Sequence, residues 1–158
     1  MTAYGERWRA RRIALVGYSF GADVLPFGYN RLPADLRAQI AQISLLGFSA
    51  KASFEIHVAG WLGAGPGVDA PSTLPEIKRI EAPSVQCFYG ADEADSACPV
   101  LAAAGAEVIE TGGGHHFGGD YGFLAERIAR GLARRLKIAD ASAGKAGGRT
   151  PAGTAGGY

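Results

Sequence analysis

The chain has 158 residues, of which 47% are hydrophobic and 20% are charged, and its formal net charge at pH 7 is +1. This length suffices for one domain with its own hydrophobic core, and the near-neutral charge argues against nucleic acid as a partner. No hydrophobic run approaches the roughly 18 residues that a membrane-spanning helix needs, so no transmembrane segment is expected.

The predicted elements alternate between strands and helices. Residues 2–12 are polar and lack the apolar segment of a secretory signal, and residues 3–11 are expected to form the exposed end of a helix. The elements that follow, in chain order, are a buried strand at Ile13–Val16, a helix over 19–29 that Pro26 shortens or kinks, a helix at Ala34–Gln42, a strand at Ile43–Phe48, a half-solvated strand at 52–58, a loop at 60–74, a helix at Glu76–Ile80, a strand at Val85–Tyr89, a helical turn at 100–105 and a strand at Glu107–Glu110. This alternation predicts an α/β fold with a mainly parallel sheet.

The clearest helical pattern lies near the C-terminus and begins at Asp120 or Tyr121. Its hydrophobic residues recur every four positions, at Leu124, Ile128, Leu132 and Leu136. The arginines around it are interpreted as a solvated face: Arg127, Arg130, Arg134 and Arg135. Beyond this helix the chain is rich in Gly and Ala without hydrophobic periodicity, so we expect a folded domain at 1–139 and a disordered tail at 140–158.

A Gly-x-Ser-x-Gly motif at residues 17–21 directly follows the first predicted strand. Between a strand and a helix this motif is typical of a nucleophile elbow, which exposes the serine side chain at the carboxyl end of the sheet. Ser19 is therefore a candidate nucleophile, and the amide of Phe20 is a candidate oxyanion-hole donor. Gly17 and Gly21 are expected to be needed where the strand and helix backbones come close. The alternative interpretation is an ordinary glycine-rich turn.

The last two predicted strands are each followed by residues that would complete a catalytic triad with Ser19. Three carboxylates follow the strand at Val85–Tyr89, namely Asp92, Glu93 and Asp95. Two histidines follow the strand at Glu107–Glu110, namely His115 and His116. The order serine, acid, histidine is that of α/β-hydrolases, and the carboxyl ends of parallel strands share one edge of the sheet. We therefore predict that one carboxylate and one histidine meet the serine.

Each cluster also has a plainer interpretation. The carboxylates would fit a solvated turn, and the two histidines would fit loop residues or weak metal ligands together with Asp120. Because no second ligand set has the spacing of a metal site, no metal is expected. His57 falls on the polar side of a predicted strand and is interpreted as a surface residue. The glycines at 63–67 and 112–114 match no nucleotide-binding motif, so no cofactor is expected.

Four segments carry a combination of motifs that points to one family. They are GYSFGADVLPFGYNRLP at 17–33, QISLLGFS at 42–49, CFYGADEADSACP at 87–99 and GGGHHFGGDY at 112–121. Together they resemble the bacterial virulence protein VirJ family, including the VirJ-like domain of AcvB, over residues 4–135. The resemblance implies a periplasmic α/β-hydrolase-like protein connected with envelope lipid homeostasis and type IV secretion. AcvB-like members are described as hydrolases of lysyl-phosphatidylglycerol.

The resemblance also implies roles for the candidate residues. Ser19 corresponds to the nucleophile and His116 to the general base, because His116 directly precedes Phe117 as hydrolase histidines often precede a phenylalanine. His115 is the alternative base.

The orienting acid lies within residues 92–95 and has three candidates. Asp95 is slightly favoured, since it stands four residues before Pro99. Glu93 has the glycine-plus-three spacing that is usual for the hydrolase acid, and Asp92 also stays open.

The chain contains two cysteines, Cys87 and Cys98, whose spacing is compatible with one disulfide or with two free thiols. The resemblance implies a disulfide that holds the acid-bearing loop, in an oxidising periplasm.

One departure from related hydrolases concerns the scaffold. Those enzymes have strands before the nucleophile elbow, and a loop after one of them supplies a second oxyanion donor, whereas here the elbow comes at residue 17. We therefore expect the chain to be the C-terminal part of a longer protein. The predicted function is serine-dependent ester hydrolysis, with an aminoacylated phospholipid as substrate. The alternatives are a catalytically inactive interaction protein for secretion partners, and a generic esterase or thioesterase.

Overall fold

Four parallel strands form the centre of the part of the chain that the structure describes. The computed structural model describes residues 12–51 and 71–147, with side chains up to residue 138. The strands lie side by side in chain order, as β1 (Ile13–Tyr18), β2 (Ile40–Leu46), β3 (Val85–Gly90) and β4 (Glu107–Thr111). With helices against the sheet, this arrangement confirms the predicted α/β fold. The predictions for residues 3–11, for the strand at 52–58 with His57, and for most of the 60–74 loop lie outside the described residues.

Five α-helices accompany the strands in the described ranges. They are α1 (Phe20–Asn30), α2 (Ala34–Arg37), α3 (Leu74–Ile77), α4 (Cys98–Ala102) and α5 (Tyr121–Gly147), and single 3-10 turns occupy Ala82–Ser84 and Phe117–Gly119. Helix α1 covers nearly all of the range predicted as helix and retains Pro26 in its interior, so the prediction that this proline shortens the helix is wrong. Within the described ranges, no helix is both long and apolar enough to span a membrane.

The second predicted helix is shorter than expected. It ends at Arg37 rather than at Gln42, because the residues from Ile40 onward belong to β2 and pair with β1. Gln42 itself is fully buried in the sheet. Pairing and burial in the sheet thus outweigh the helical preference of this segment.

Helices α3, α4 and α5 also differ in extent from the prediction, since α3 ends at Ile77 and α4 occupies Cys98–Ala102 in place of the turn expected at 100–105. Helix α3 begins at Leu74, two residues before the predicted start, because the carbonyl of Thr73 already accepts the amide protons of Glu76 and Ile77. Helix α5 continues to Gly147, past the predicted start of the tail at residue 140. This stretch is rich in alanine, the strongest helix former. Residues 148–158 lie outside the described residues.

Hydrophobic residues cover both faces of the sheet. Because successive residues of a strand point to opposite faces, the neighbours Leu45 and Leu46 belong to two different clusters. The first cluster joins β2 and β3 to α1, α3 and α4, through Ile43, Leu45, Cys87, Ala22, Ile77 and Leu101. The second joins the strands to α5, through Leu46, Phe88, Ile109, Phe117 and Leu124.

A buried polar patch lies between the sheet and α5. Gln42, Ser44 and Gln86 are fully buried, and Gln42 Nε2 donates to the carbonyl of Ile128 at 3.0 Å. Gln86 Nε2 donates to the carbonyl of Arg127 at 3.1 Å. These bonds satisfy side chains that would otherwise destabilise the interior, and they set the position of α5 on the sheet.

The arginines of α5 do not all face solvent. Arg130 and Arg134 are exposed as predicted, but the side chain of Arg135 is only 13% exposed. Its guanidinium lies 3.1 Å from Glu107 and donates to the carbonyl of Val85. The prediction of a solvated arginine face is therefore wrong for Arg135, since its long side chain reaches back to the sheet.

The carboxyl ends of the strands are aligned at one edge of the sheet. Tyr18 pairs with Leu46, Leu46 with Phe88, and Phe88 with Ile109. The ladder continues one residue further, where the amide of Ser19 donates to Leu46 and the amide of Gly47 donates to Phe88. The loops that follow the strands therefore meet at this edge, as open parallel sheets generally arrange their sites.

Candidate active site

Ser19 forms the turn between β1 and α1. Its φ angle is 54°, in the left-handed region that residues other than glycine rarely adopt. Two hydrogen bonds hold this conformation: the Ser19 amide donates to the carbonyl of Leu46 at 2.8 Å, and the Ser19 carbonyl accepts from Ala22 at 2.8 Å. A strained serine between a strand and a helix is the geometry of a nucleophile elbow. Phe20 is the first residue of α1, directly after this serine.

The close approach of the strand and helix backbones at this turn requires glycine at position 17 but not at position 21. A Cβ atom on Gly17 would lie 2.5 Å from the carbonyl oxygen of Gly21, a distance that no side chain tolerates. A Cβ atom on Gly21 would meet nothing within 4 Å. The expectation that Gly21 also has to be small for packing is therefore wrong, because its side-chain direction leads away from the strand.

The side chain of His115 connects Ser19 to Glu93. Its Nε2 atom lies 2.8 Å from Ser19 Oγ, and its Nδ1 atom lies 2.6 Å from Glu93 Oε1. The three residues come from the loops after β4, β1 and β3. The Glu93 side chain is only 9% exposed, while that of His115 is 41% exposed and open to an incoming molecule. A hydroxyl, an imidazole and a buried carboxylate in this order form a nucleophile, a base and an orienting acid.

Both carboxylate oxygens of Glu93 are engaged. Oε1 binds His115, and Oε2 accepts the amide proton of Gly90 at 2.7 Å. Gly90 also allows the acid and histidine loops to meet, because a Cβ atom there would lie 2.3 Å from the carbonyl oxygen of Gly114. The end of β3 therefore holds the Glu93 side chain in place and leaves room for the loop of His115 to approach it.

A disulfide between Cys87 and Cys98 closes the loop that carries Glu93. It joins β3 to the first residue of α4, and both cysteines are fully buried. The disulfide that the family resemblance implied is therefore present. At the far end of this loop, the amide of Ala97 donates to the carbonyl of Phe48 at 2.9 Å.

His116, the histidine favoured from the sequence, does not reach Ser19, and this assignment is corrected to His115. The Nδ1 atom of His116 lies 2.9 Å from the hydroxyl of Tyr18, and the residue is exposed. The next residue, Phe117, has a φ angle of 55° and is buried in the core against α5. With Phe117 anchored in this way, His115 points to the serine and His116 points to the surface.

Asp95, the favoured acid, is likewise replaced by Glu93. Asp95 and Asp92 are both exposed. Glu93 follows the end of β3 in a tight turn, in which its amide donates to the carbonyl of Gly90 at 2.9 Å. This turn folds its carboxylate back over the strand end, whereas Asp95 lies further along the loop. The glycine-plus-three spacing was the sequence signal that pointed to the carboxylate in contact with His115.

Sequence reasoning missed two residues that contact the histidines. Gly47 follows β2 and lies against the ring of His115. The ring of Tyr18 lies 5.3 Å from that of His115, centroid to centroid. Burial raises the pKa of Tyr18, and the nearby Tyr121 and Glu93 add to this effect, so the phenol keeps its proton at neutral pH. The only signal for Gly47 in the sequence was a glycine directly after an apolar strand.

The arrangement is suited to moving a proton between Ser19 and His115 while Glu93 holds the ring. In the ranges 12–51 and 71–147, no three His, Cys, Asp or Glu residues are grouped as metal ligands would be. The contacts of Ser19, His115 and Glu93 are of the kind that nucleophilic and acid–base chemistry uses.

Comparison with known families matches residues 1–136 to the family model described as bacterial virulence protein (VirJ). No curated protein and no solved structure matches the chain. The matched region includes the turn of Ser19 and the loops of Glu93 and His115. The chain belongs to the family of the bacterial virulence protein VirJ.

Proposed function

We propose that the chain is a serine hydrolase that cleaves an ester bond. Ser19 is the nucleophile, His115 is the general base and Glu93 is the acid that orients the base. The observation that carries this proposal is the pair of contacts made by His115, at 2.8 Å to Ser19 Oγ and 2.6 Å to Glu93 Oε1. The strained φ angle of Ser19 supports it independently, since such strain concentrates at functional residues.

The reaction begins with one tautomer of His115. With its Nδ1 proton donated to Glu93, Nε2 is free to accept the hydroxyl proton of Ser19. As Oγ attacks the carbonyl carbon of the ester, the proton moves to Nε2 and the carbonyl electrons move onto oxygen. The cationic imidazole then faces the Glu93 carboxylate, which stabilises it.

The second half of the reaction releases both products. Collapse of the tetrahedral intermediate breaks the bond to the alkoxy group, which takes the proton from Nε2 and leaves as the alcohol. Water, deprotonated by the same base, then attacks the acyl group on Ser19. The carboxylic acid product leaves, and Ser19 regains its proton. In the proposed mechanism the amide of Phe20, at the N-terminus of the 11-residue helix α1, donates to the oxyanion.

We extend the proposal to an aminoacyl-phosphatidylglycerol, in particular lysyl-phosphatidylglycerol, as substrate. Membership of the VirJ family and the motifs shared with the AcvB-like domain support this choice. We further propose a periplasmic protein connected with type IV secretion. The disulfide between Cys87 and Cys98 supports this compartment, because disulfides persist in oxidising environments.

The full chain and its Ser19→Ala variant test the reaction class. We expect a fluorophosphonate probe to label the wild type on Ser19 and to leave the variant unlabelled. Release of lysine from vesicles containing lysyl-phosphatidylglycerol should fall by about 10⁴-fold or more in the variant. Ser84→Ala is the matched control, because Ser84 lies before β3, at the opposite end of the sheet.

The possible results separate the candidate functions. Hydrolysis that persists in Ser19→Ala would contradict the proposed mechanism. Serine-dependent hydrolysis of simple esters without release of lysine would retain the mechanism and favour a generic esterase. A wild type that neither reacts with the probe nor hydrolyses esters would favour the non-catalytic interaction protein.

A further inference from the structure

Asp23 is a buried carboxylate close to the proposed triad. It lies in the first turn of α1, four residues after the nucleophile, and is only 4% exposed. Burial raises its pKa to about 6, although a hydrogen bond from Ser49, and His115 when it is protonated, act in the opposite direction. An acidic side chain in such a position destabilises the fold when it is ionised, so its presence calls for a functional explanation.

A hydrogen bond of the Asp23 side chain connects two parts of the site. Asp23 Oδ1 accepts the amide proton of Ser49 at 2.8 Å. Ser49 stands two residues after Gly47, which lies against the imidazole of His115. The helix that begins at the nucleophile is therefore tied to the segment that supports the base.

The same segment is bound at other points along its length. The amide of Gly47 donates to Phe88, and the carbonyl of Ser49 accepts the hydroxyl proton of Thr73 at 2.5 Å. These contacts come from β3 and from the start of α3. The hydrogen bond to Asp23 connects the segment to the helix of the nucleophile.

Charge gives Asp23 a second connection to the base. The charge of a protonated His115 lowers the pKa of Asp23 and the charge of Asp95 raises it, so the Asp23 carboxylate and the imidazole interact electrostatically. A negative charge beside the imidazole favours the cationic ring that forms when the serine loses its proton. Glu93 supplies one such charge by direct contact, and Asp23 supplies another from the side of α1.

We propose that Asp23 is a positioning residue for this site: through its hydrogen bond to Ser49 it anchors the segment 47–49 that supports the ring of His115. This inference rests on the proposed hydrolase function. Asp23 does not touch the reacting atoms and acts through Ser49, Gly47 and His115.

Two substitutions distinguish the hydrogen bond of Asp23 to Ser49 from the negative charge of Asp23. Asp23→Ala removes both, and we expect kcat for a p-nitrophenyl ester to fall on the order of 10- to 100-fold, because the base loses its support. Asp23→Asn keeps an oxygen that accepts from Ser49 and should restore part of kcat. In Asp23→Asn the acid limb of the kcat/KM profile should move to lower pH, because the cationic ring loses a neighbouring negative charge.

Stability should change in the opposite direction to activity in Asp23→Asn. The folded protein binds a proton at Asp23 more tightly than the unfolded chain, so the ionised group destabilises the fold above about pH 6. Removing the charge should therefore raise Tm at pH 7.5 and have little effect at pH 4. A purely structural carboxylate would show no shift of the pH–rate profile.

Asp35→Ala serves as the matched control, because Asp35 also lies in the first turn of a helix but is exposed. The inference is overturned if Asp23→Ala has the same kcat and pH profile as the wild type. If turnover by the wild type depends on Ser19, the hydrolase function stands in that case. A wild type without Ser19-dependent turnover would overturn the function, and with it the kinetic role of Asp23. In that case NMR tests whether Asp23 anchors the segment. Changed chemical shifts of the His115 ring protons in Asp23→Ala, but not in Asp35→Ala, would support the anchoring, and unchanged shifts would overturn it.

Discussion

Gly47 lies so close to His115 that a methyl group on its α-carbon would stand 2.7 Å from Cε1 of the imidazole and 2.9 Å from Nδ1. Its φ angle of 66° is also in the left-handed region that favours glycine. Space and backbone conformation therefore both require glycine at this position. The contact involves the ring that links Ser19 to Glu93, so a side chain here would disturb the proposed site directly.

Substitution of Gly47 should consequently reduce activity and stability together. In Gly47→Ala we expect the ring of His115 to be displaced and kcat to fall by about 10²-fold. The left-handed conformation should lower the free energy of unfolding by about 1–2 kcal/mol. Ester hydrolysis and urea unfolding measure the two effects.

Gly28→Ala is the control for this substitution. Gly28 lies in α1, and a Cβ atom there would meet nothing within 4 Å, so alanine should stabilise the helix by about 0.5–1 kcal/mol and leave kcat unchanged. Wild-type activity in Gly47→Ala would show that the ring of His115 is not held where the structure places it.

The two adjacent histidines should differ sharply in their contribution to activity. His115→Ala removes the base and should lower kcat/KM by about 10⁴-fold or more. His116→Ala removes an exposed hydrogen bond to Tyr18 and should change kcat/KM by less than about tenfold. Parallel kinetics of the two variants check this order, and a larger loss in His116→Ala would restore the assignment made from the sequence.

The acid should be identified in the same way by a pair of isosteric substitutions. In Glu93→Gln the amide can donate to Nδ1 of His115, which favours the tautomer whose Nε2 is protonated and cannot accept from Ser19. We expect kcat to fall by about 10³- to 10⁴-fold. Asp95→Asn should change kcat by less than about threefold, because its exposed charge acts through water. A greater loss in Asp95→Asn than in Glu93→Gln would contradict the structure.

The sheet was largely predictable from the sequence because its strands are short, mostly apolar segments with glycine or proline nearby. Val85–Tyr89 is one example, and the structure adds only Gly90. The segment Ile40–Gln42 was predicted as helix because its strand character depends on pairing with β1, a contact with distant residues. Long-range pairing of this kind leaves no local pattern to read.

At the candidate site, the sequence located the loops that meet, but it favoured His116 and Asp95 over the two side chains that are in contact with each other, His115 and Glu93. The choice between His115 and His116 depends on the backbone of the loop, where Gly113 has a φ angle of 74° and Phe117 one of 55°. Such angles are set by the anchoring of Phe117 in the core. The importance of Asp23 and Gly47 depends on contacts between separate elements, so their spacing in the chain carried no signal.

Glu107 anchors α5 to the start of β4 through ion pairs. Its carboxylate lies 2.6 Å from the guanidinium of Arg134 and 3.1 Å from that of Arg135. Partial burial alone would raise the pKa of Glu107, but the two arginines outweigh it and lower the pKa below its ordinary value of 4.5. The folded protein therefore binds a proton at Glu107 less tightly than the unfolded chain does.

This difference predicts a stability contribution that depends on pH. Above about pH 4.5 the ionised Glu107 stabilises the fold, and the contribution is lost as the pH falls through the lowered pKa. Glu107→Gln should thus lower the free energy of unfolding by about 1–2 kcal/mol at pH 7 and by much less at pH 3. Glu126→Gln, which breaks an exposed pair with Arg130 on α5, should change it by less than about 0.5 kcal/mol at either pH. Urea unfolding at both pH values measures the effect, and an equal loss at pH 3 would mean that the ion pairs do not hold the helix.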